Sequence, residues 1–291
     1  MKYSPATNNS NSEDNMHKYG STMGWQLAIL ALLLLLWQLA SRDAQVAFFF
    51  GEPSQVMGCL LRWFTQGSGK LEISWGDNVH WQWHFPAEIY PHLLITLSET
   101  LLAFIIGTLA GLVLGLWLGM SPLLARVLRP FINAANVLPR VVLAPIFSMW
   151  FGLGMGSKVA LAVTLVFFTV FFNVYQGVRE VNPAWVNNLN MLGANSWQRI
   201  KTLYLPSALS WVFCSLHNAI GLAFIGAVVG EYLGSARGIG YLILQAEGSF
   251  DINTIFAGII VLTLCALLLD SLVTRLERKL LKWQPDSGQL R

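Results

Sequence analysis

Charge is what this sequence has least of. Of its 291 residues only 11% are Asp, Glu, Lys or Arg, against about a quarter in an ordinary soluble domain. A chain this poor in charge cannot coat a water-facing surface, which excludes a soluble enzyme or binding module. The positive surplus is small as well. Eighteen basic against fifteen acidic residues give +3, too little for the basic footprint of a nucleic-acid partner. Cysteine is scarce: Cys59, Cys214 and Cys265 are scattered along the chain, which offers neither a disulfide framework nor a zinc motif. Small buried hydrophobes are the remaining reading for them. His80 and His84 stand at i, i+4, but their segment reads as a loop without a third ligand, so no metal site is expected. Gly152 to Lys158 lacks the Gly before Lys and the Ser or Thr after it that a phosphate loop needs. It reads as a tight turn.

What the chain has instead is apolar length. Fifty-five per cent of the residues are hydrophobic and the mean hydropathy is +0.54. About 20 apolar residues cross a bilayer as a helix, and six stretches qualify: Met23 to Ala40, Leu93 to Met120, Phe131 to Leu153, Val159 to Tyr175, Ala208 to Tyr232 and Ile255 to Leu272. A cleaved signal peptide competes for the first, but the preceding segment is long, weakly basic and rich in Asn and Ser, so a retained anchor is preferred. With the N-terminus inside, the inner segments and tails hold twelve Lys and Arg residues, and the outer segments hold five, Arg42, Arg62, Lys70, Lys158 and Arg237. That asymmetry places both termini in the cytoplasm.

The expected organisation is therefore an all-α integral membrane protein with six transmembrane helices. Residues 1–22 form a disordered cytoplasmic tail and 23–40 the first span. Residues 41–90 form an outer segment, 91–280 a five-helix core, and 281–291 a second cytoplasmic tail. In the outer segment Glu52-Pro53-Ser54 reads as a helix start, with Ser54 as N-cap and Val56 to Phe64 as a short amphipathic helix. Gly67-Ser68-Gly69 then opens a loop with Trp75, Trp81 and Trp83, residues that favour the headgroup zone.

Inside the spans, Ala103, Gly107, Gly111, Gly115 and Gly119 put a small residue at every fourth position, a ridge for close helix packing. The third stretch is interrupted by Pro139, Arg140 and Pro145. Each proline frees a carbonyl that needs an internal partner, and Arg140 must be shallow, paired or facing water. Asn136, Arg140 and Glu231 are the candidates for lining a pathway. Glu99, His217 and Asn218 could face it too, or simply cap or bond a neighbour.

The cytoplasmic segment 179–206 is the most informative. Asn182-Pro183 is an N-cap followed by proline at the first helical position. Trp185, Leu189 and Leu192 then share one face, and Gly193 ends the helix. A second short helix is expected with Trp197, Ile200, Leu203 and Tyr204 on one face, closed by Pro206. Two short amphipathic helices with a sharp turn suit docking on a partner.

This segment resembles that of the permease subunits of binding-protein-dependent ABC importers, whose signature runs Glu-Ala-Ala, three residues, Gly, nine residues, Ile-x-Leu-Pro. Gly193 and Leu203-Tyr204-Leu205-Pro206 fit that spacing, while Asn187, Asn188 and Leu189 replace Glu-Ala-Ala. Leu138-Pro139-Arg140 to Ala144-Pro145, Trp150 to Gly154, Val229 to Gly234, Gly238 to Ile243 and Pro53 to Val56 are similar to the nitrate/sulfonate/taurine-type subfamily. The resemblance implies a type I importer permease fold in a bacterial inner membrane and no enzymatic activity of its own. It implies a coupling loop (Asn187, Asn188, Leu189, Gly193, Ala194, Leu203, Pro206) that docks on an ATPase subunit, where ATP and Mg bind; this chain itself holds no cofactor. It further implies a substrate-binding protein, a second permease copy, and a small solute such as a sulfonate, taurine or nitrate. A stand-alone secondary carrier or channel is the rival reading. It would call for strong intramembrane charges and no docking loop.

Overall fold

The computed structural model describes residues 10–75 and 79–280. The chain runs through α1 (Ser10–Ala40), α2 (Ala44–Phe50), α3 (Pro53–Thr65), strands β1 (Gly69–Trp75) and β2 (Val79–Phe85), then α4 (Ile89–Met120) and α5 (Pro122–Val137). A 3-10 turn, Arg140–Leu143, leads to α6 (Ala144–Phe151) and α7 (Met155–Arg179). After α8 (Pro183–Met191) and α9 (Ser196–Arg199), a π turn (Ile200–Tyr204) feeds α10 (Leu205–Gly234), followed by α11 (Ile239–Gly248) and α12 (Ile252–Leu280).

Among the described residues four helical stretches are long and apolar enough to cross a membrane: Ile89–Met120, Met155–Arg179, Ser215–Gly234 and Ile252–Glu277. A fifth crossing arises if Leu123–Val137 and Arg140–Phe151, bent by 84°, are one broken span. Gly24–Ala40 is apolar but shorter.

The centre is the α4–α7 pair. Gly107, Gly111, Gly115 and Gly119 of α4 face Val166, Val170, Val174 and Val178 of α7, one glycine to each valine. A methyl group built on each glycine would lie 2.7–2.9 Å from the Cβ of its valine. Both rows step by four residues, so ridge and groove run together, and the backbones close in because lipid supplies no hydrophobic drive and contact area must. The valine row continues into α10 through Ala208, Val212, Leu216 and Ala219, and into α12 through Val261, Cys265 and Leu269. Cys59 and Cys265 are buried and free. The ridge makes a signed prediction. Gly58→Ala in α3 meets open space and should add up to about 1 kcal/mol of helix propensity. Gly111→Ala has the same propensity benefit but meets the Phe167 carbonyl at 3.0 Å and Val170 Cβ at 2.9 Å. Overpacking costs about 1–3 kcal/mol, so its melting temperature in detergent should fall while that of Gly58→Ala holds or rises.

Helix α1 includes residues 10–22; residues 1–9 and 281–291, where tails are expected, lie outside the described residues. Some local expectations are corrected. The outer loop is an antiparallel hairpin set on an all-α membrane fold: Gly69 pairs with Phe85, Ile73 with Trp81 and Trp75 with Val79. Its strict apolar/polar alternation is a strand period. In α3 the cap position belongs to Glu52 and Pro53 takes the first turn, where its missing N–H costs nothing; Ser54 is inside the helix. Lys158, counted with the outer charges, is buried in the first turns of α7.

Candidate functional site

The segment after α7 builds two capped helix ends in succession. The Asn182 side chain accepts from Ala184 N–H at 2.9 Å and Pro183 opens α8. At the other end Gly193 sits at φ +74°. Its N–H donates to Asn190 O at 3.0 Å, and Ala194 N–H reaches back to Leu189 O at 3.0 Å, the paired bonds of a Schellman cap. Asn195 starts the next helix with a capping box: its side chain accepts from Gln198 N–H and its N–H donates to Gln198 Oε1, both at 2.8 Å. Arg199 spans the turn, one Nη donating to Asn190 Oδ1 and the other to Ser196 Oγ, each at 3.0 Å. The turn is thus held by its own hydrogen bonds, with no fully buried residue in α8 or α9.

What it holds out is apolar. Trp185, Met191, Leu192 and Trp197 are all exposed, Met191 by 86%, and Asn187 and Asn188 are exposed beside them. Leu189, Ala194 and Leu203 are half-buried. The second helix does not close at Pro206. Leu205 N–H bonds to Ile200 O, five residues back, and this wider π turn gives the Pro206 ring room that an i→i−4 turn lacks. Helix α10 therefore runs on from the turn into the membrane.

The 84° break between α5 and the helical stretch Arg140–Phe151 has its cause in Pro139. Leu138 before it is extended at ψ 127°, as the residue preceding proline must be. At the break Arg140 Nη2 donates to Asn136 Oδ1 at 2.6 Å and to Asn136 O at 3.1 Å, and its guanidinium lies 4.7 Å from the Phe168 ring centroid. Asn136 and Arg140 are therefore one unit. Val137, Val142, Met149 and Trp150 around them are exposed, an uncovered apolar face flanking a cation.

Glu231 is elsewhere. It is fully buried, accepting from Thr96 Oγ1 at 2.6 Å and from Gly240 N–H at 2.8 Å. Thr96 Oγ1 also accepts from Ile239 N–H at 3.1 Å. Close by, Lys158 Nζ lies 3.7 Å from Glu99 Oε1 and donates to Leu153 O at 3.2 Å. These buried contacts make the cluster a brace joining α4, α7, α10 and the start of α11. Sequence reasoning named Glu99 and Glu231 but missed their cation; a lysine flanked by Ser157 and an apolar run was the available signal. A second cluster was also missed in part. His217 of α10 reaches Asp270 Oδ1 at 2.8 Å and Glu277 Oε2 at 2.9 Å, tying α10 to α12; the one-sided spacing of Asp270 and Glu277, seven residues apart, is two helical turns.

The family model of binding-protein-dependent transport system inner membrane components matches residues 88–282. The chain belongs to this family. The permease is similar to an aliphatic sulfonates transport permease protein of Bacillus subtilis, 34% identical over 197 residues that cover 68% of this chain and 71% of that one. It is also similar to the formylaminopyrimidine transport permease protein of Halalkalibacterium halodurans, 34% identical over 253 residues, 87% of this chain and 93% of that one. Among solved structures, a methionine ABC transporter in an inward-facing conformation has a related fold, with a TM-score of 0.57 and 17% identity over 65% of this chain and 94% of that one. The permease is the non-catalytic, multi-pass inner-membrane component of a binding-protein-dependent ABC importer. Residues 1–87 precede the matched segment.

Proposed function

We propose that two copies of the permease enclose the translocation path, that the loop 179–206 of each docks on an ATPase subunit, and that the solute is a sulfonate, taurine, nitrate or a similar small anion or zwitterion. The observation that carries this reading is the capped turn at Gly193, which presents Trp185, Met191, Leu192 and Trp197 to the outside with no cover of their own. Aromatic side chains in a rigid setting are the residues that anchor protein interfaces. In this reading Gly24–Ala40 is a sixth crossing. At 1.5 Å per residue it reaches about 26 Å, enough for a slightly thinned hydrocarbon core. Both termini are then cytoplasmic, supported by the weight of Lys and Arg on that side. The uncovered face around Arg140 meets its counterpart in the second copy, and Arg140, held by Asn136, supplies positive charge beside the path of an anion. ATP-driven closure of the ATPase pair moves the two loops, and α10 carries the movement into the spans.

A mild-detergent pull-down of the tagged permease from its native membrane tests the docking. The expected result is one ATPase subunit per permease, with recovery falling at least tenfold in a Trp185→Ser/Trp197→Ser variant that inserts normally, since interface hot spots cost about 2 kcal/mol or more each. Recovery of the permease alone, with uptake that survives ATP depletion, overturns the proposal in favour of a stand-alone carrier.

A further inference from the structure

The hairpin β1–β2 has two unlike faces. Its register pairs Leu71 with Trp83, Ile73 with Trp81 and Trp75 with Val79. Pleat alternation puts these six residues on one side, and all six are apolar. The intervening pairs, Lys70 with His84, Glu72 with Gln82 and Ser74 with His80, are all polar. A two-stranded sheet is marginal in water unless its apolar face is covered, and among the described residues this sheet has no third strand.

The chain says what lies nearby. At the hairpin's open end Gly69 packs against the Ala87 carbonyl and Pro91, where a side chain would collide at 2.7 Å. Helix α4, a membrane span, begins at Ile89, four residues after β2 ends. The junction is aromatic: Tyr90 lies 6.2 Å from Phe64 and 6.4 Å from Phe85 between ring centroids. Trp83, on the apolar face at this end, is 56% exposed. Three tryptophans on one side of a sheet, tethered this closely to the start of a span, match the headgroup boundary, where an indole finds apolar contact for its ring and water for its N–H.

We infer that the hairpin lies flat on the bilayer at the α4 N-terminal end, its Leu71-Ile73-Trp75-Val79-Trp81-Trp83 face seated in the lipid headgroup zone and its polar face in water. The seat anchors the N-terminal end of α4, next to Thr96 and Glu99 of the buried brace. This inference rests on α4 being a span, and not on which side of the membrane the hairpin occupies.

The test is a nitroxide scan of positions 71–74 and 80–83 in the full-length permease, with Cys59, Cys214 and Cys265 replaced by alanine, in vesicles of phosphatidylethanolamine and phosphatidylglycerol. Oxygen concentrates in lipid and a nickel chelate stays in water. Labels at 71, 73, 81 and 83 are expected to show a several-fold higher oxygen-to-nickel collision ratio than labels at 72, 74, 80 and 82, alternating with period two. Uniform access to the nickel chelate would mean a hairpin standing free in water. Shielding of the apolar face from both reagents would mean a protein cover, from a second copy or elsewhere in the chain. Either pattern overturns the inference, and neither bears on the docking proposal, which the pull-down reads separately.

Discussion

Uptake is expected to be lost, with the protein still inserted, when Gly193 is replaced by valine. The residue sits at φ +74°, where an L-residue costs about 1–2 kcal/mol, and a β-branched side chain is worse placed there than most. A side chain at this position would meet open space, so the effect is entirely one of backbone conformation. Leaving the left-handed region breaks the bonds from Gly193 to Asn190 and from Ala194 to Leu189, which fix the angle between α8 and the helix that follows. Trp185 and Trp197 then no longer present one surface. Asparagine tolerates this conformation better than other non-glycine residues, so Gly193→Asn should retain most of the uptake that Gly193→Val loses. Binding-protein-dependent uptake, normalised to membrane-inserted protein, reads both variants. Equal activity in the valine variant and the parent would sink the docking role of the turn, and equal loss in both would mean that the side chain itself is rejected.

The second large effect is on stability and sits at Lys158. Its ammonium is 4% exposed and lies 3.7 Å from Glu99, which is 1% exposed. Lys158→Met keeps the length of the side chain and removes the cation. Glu99 then loses the cation beside it, and breaking a buried ion pair in this way costs about 3–5 kcal/mol. The folded fraction in detergent, read by size-exclusion and thermal melting, should collapse relative to Lys201→Met, which removes an exposed lysine. Adding Glu99→Gln to Lys158→Met should recover much of the loss, since a neutral amide needs no cation. A single Lys158→Met variant that melts like its parent, or a double variant no better than the single, would show that the brace does not depend on this charge balance.

Much of the fold was legible because membranes leave few choices. Apolar runs of the right length marked the four long spans, and the glycine spacing in α4 marked a close-packing face. The prolines at 139 and 145 marked the broken helix, and Asn182, Pro183 and Gly193 marked both ends of α8. Each of these rests on a local rule: a missing N–H, a left-handed residue, a side-chain cap. The errors came where a local rule had a competitor. The tryptophans and histidines of the hairpin suit an interfacial loop equally well, and only the period-two alternation in 69–75 and 79–85 marks strands. Pro206 was read as a helix stop because its ring clashes in an ordinary helix, and the π turn removed the clash. Glu231 and Lys158 meet Thr96 and Glu99 of α4, more than fifty residues away in the chain, which no local rule brings to them.

The sequence by itself determined that this chain lives in a membrane, where its helices begin and break, and that a rigid capped turn stands outside the bilayer; composition, periodicity and capping are properties of contiguous residues. Only the tertiary structure decided that the glycine ridge meets a valine row in α7, that Arg140 and Asn136 form one unit against Phe168, and that Glu231 belongs to a closed brace with Glu99 and Lys158. The physical reason is desolvation. A charged side chain in an apolar segment must find a partner or water, and the sequence records the need without recording which distant residue meets it.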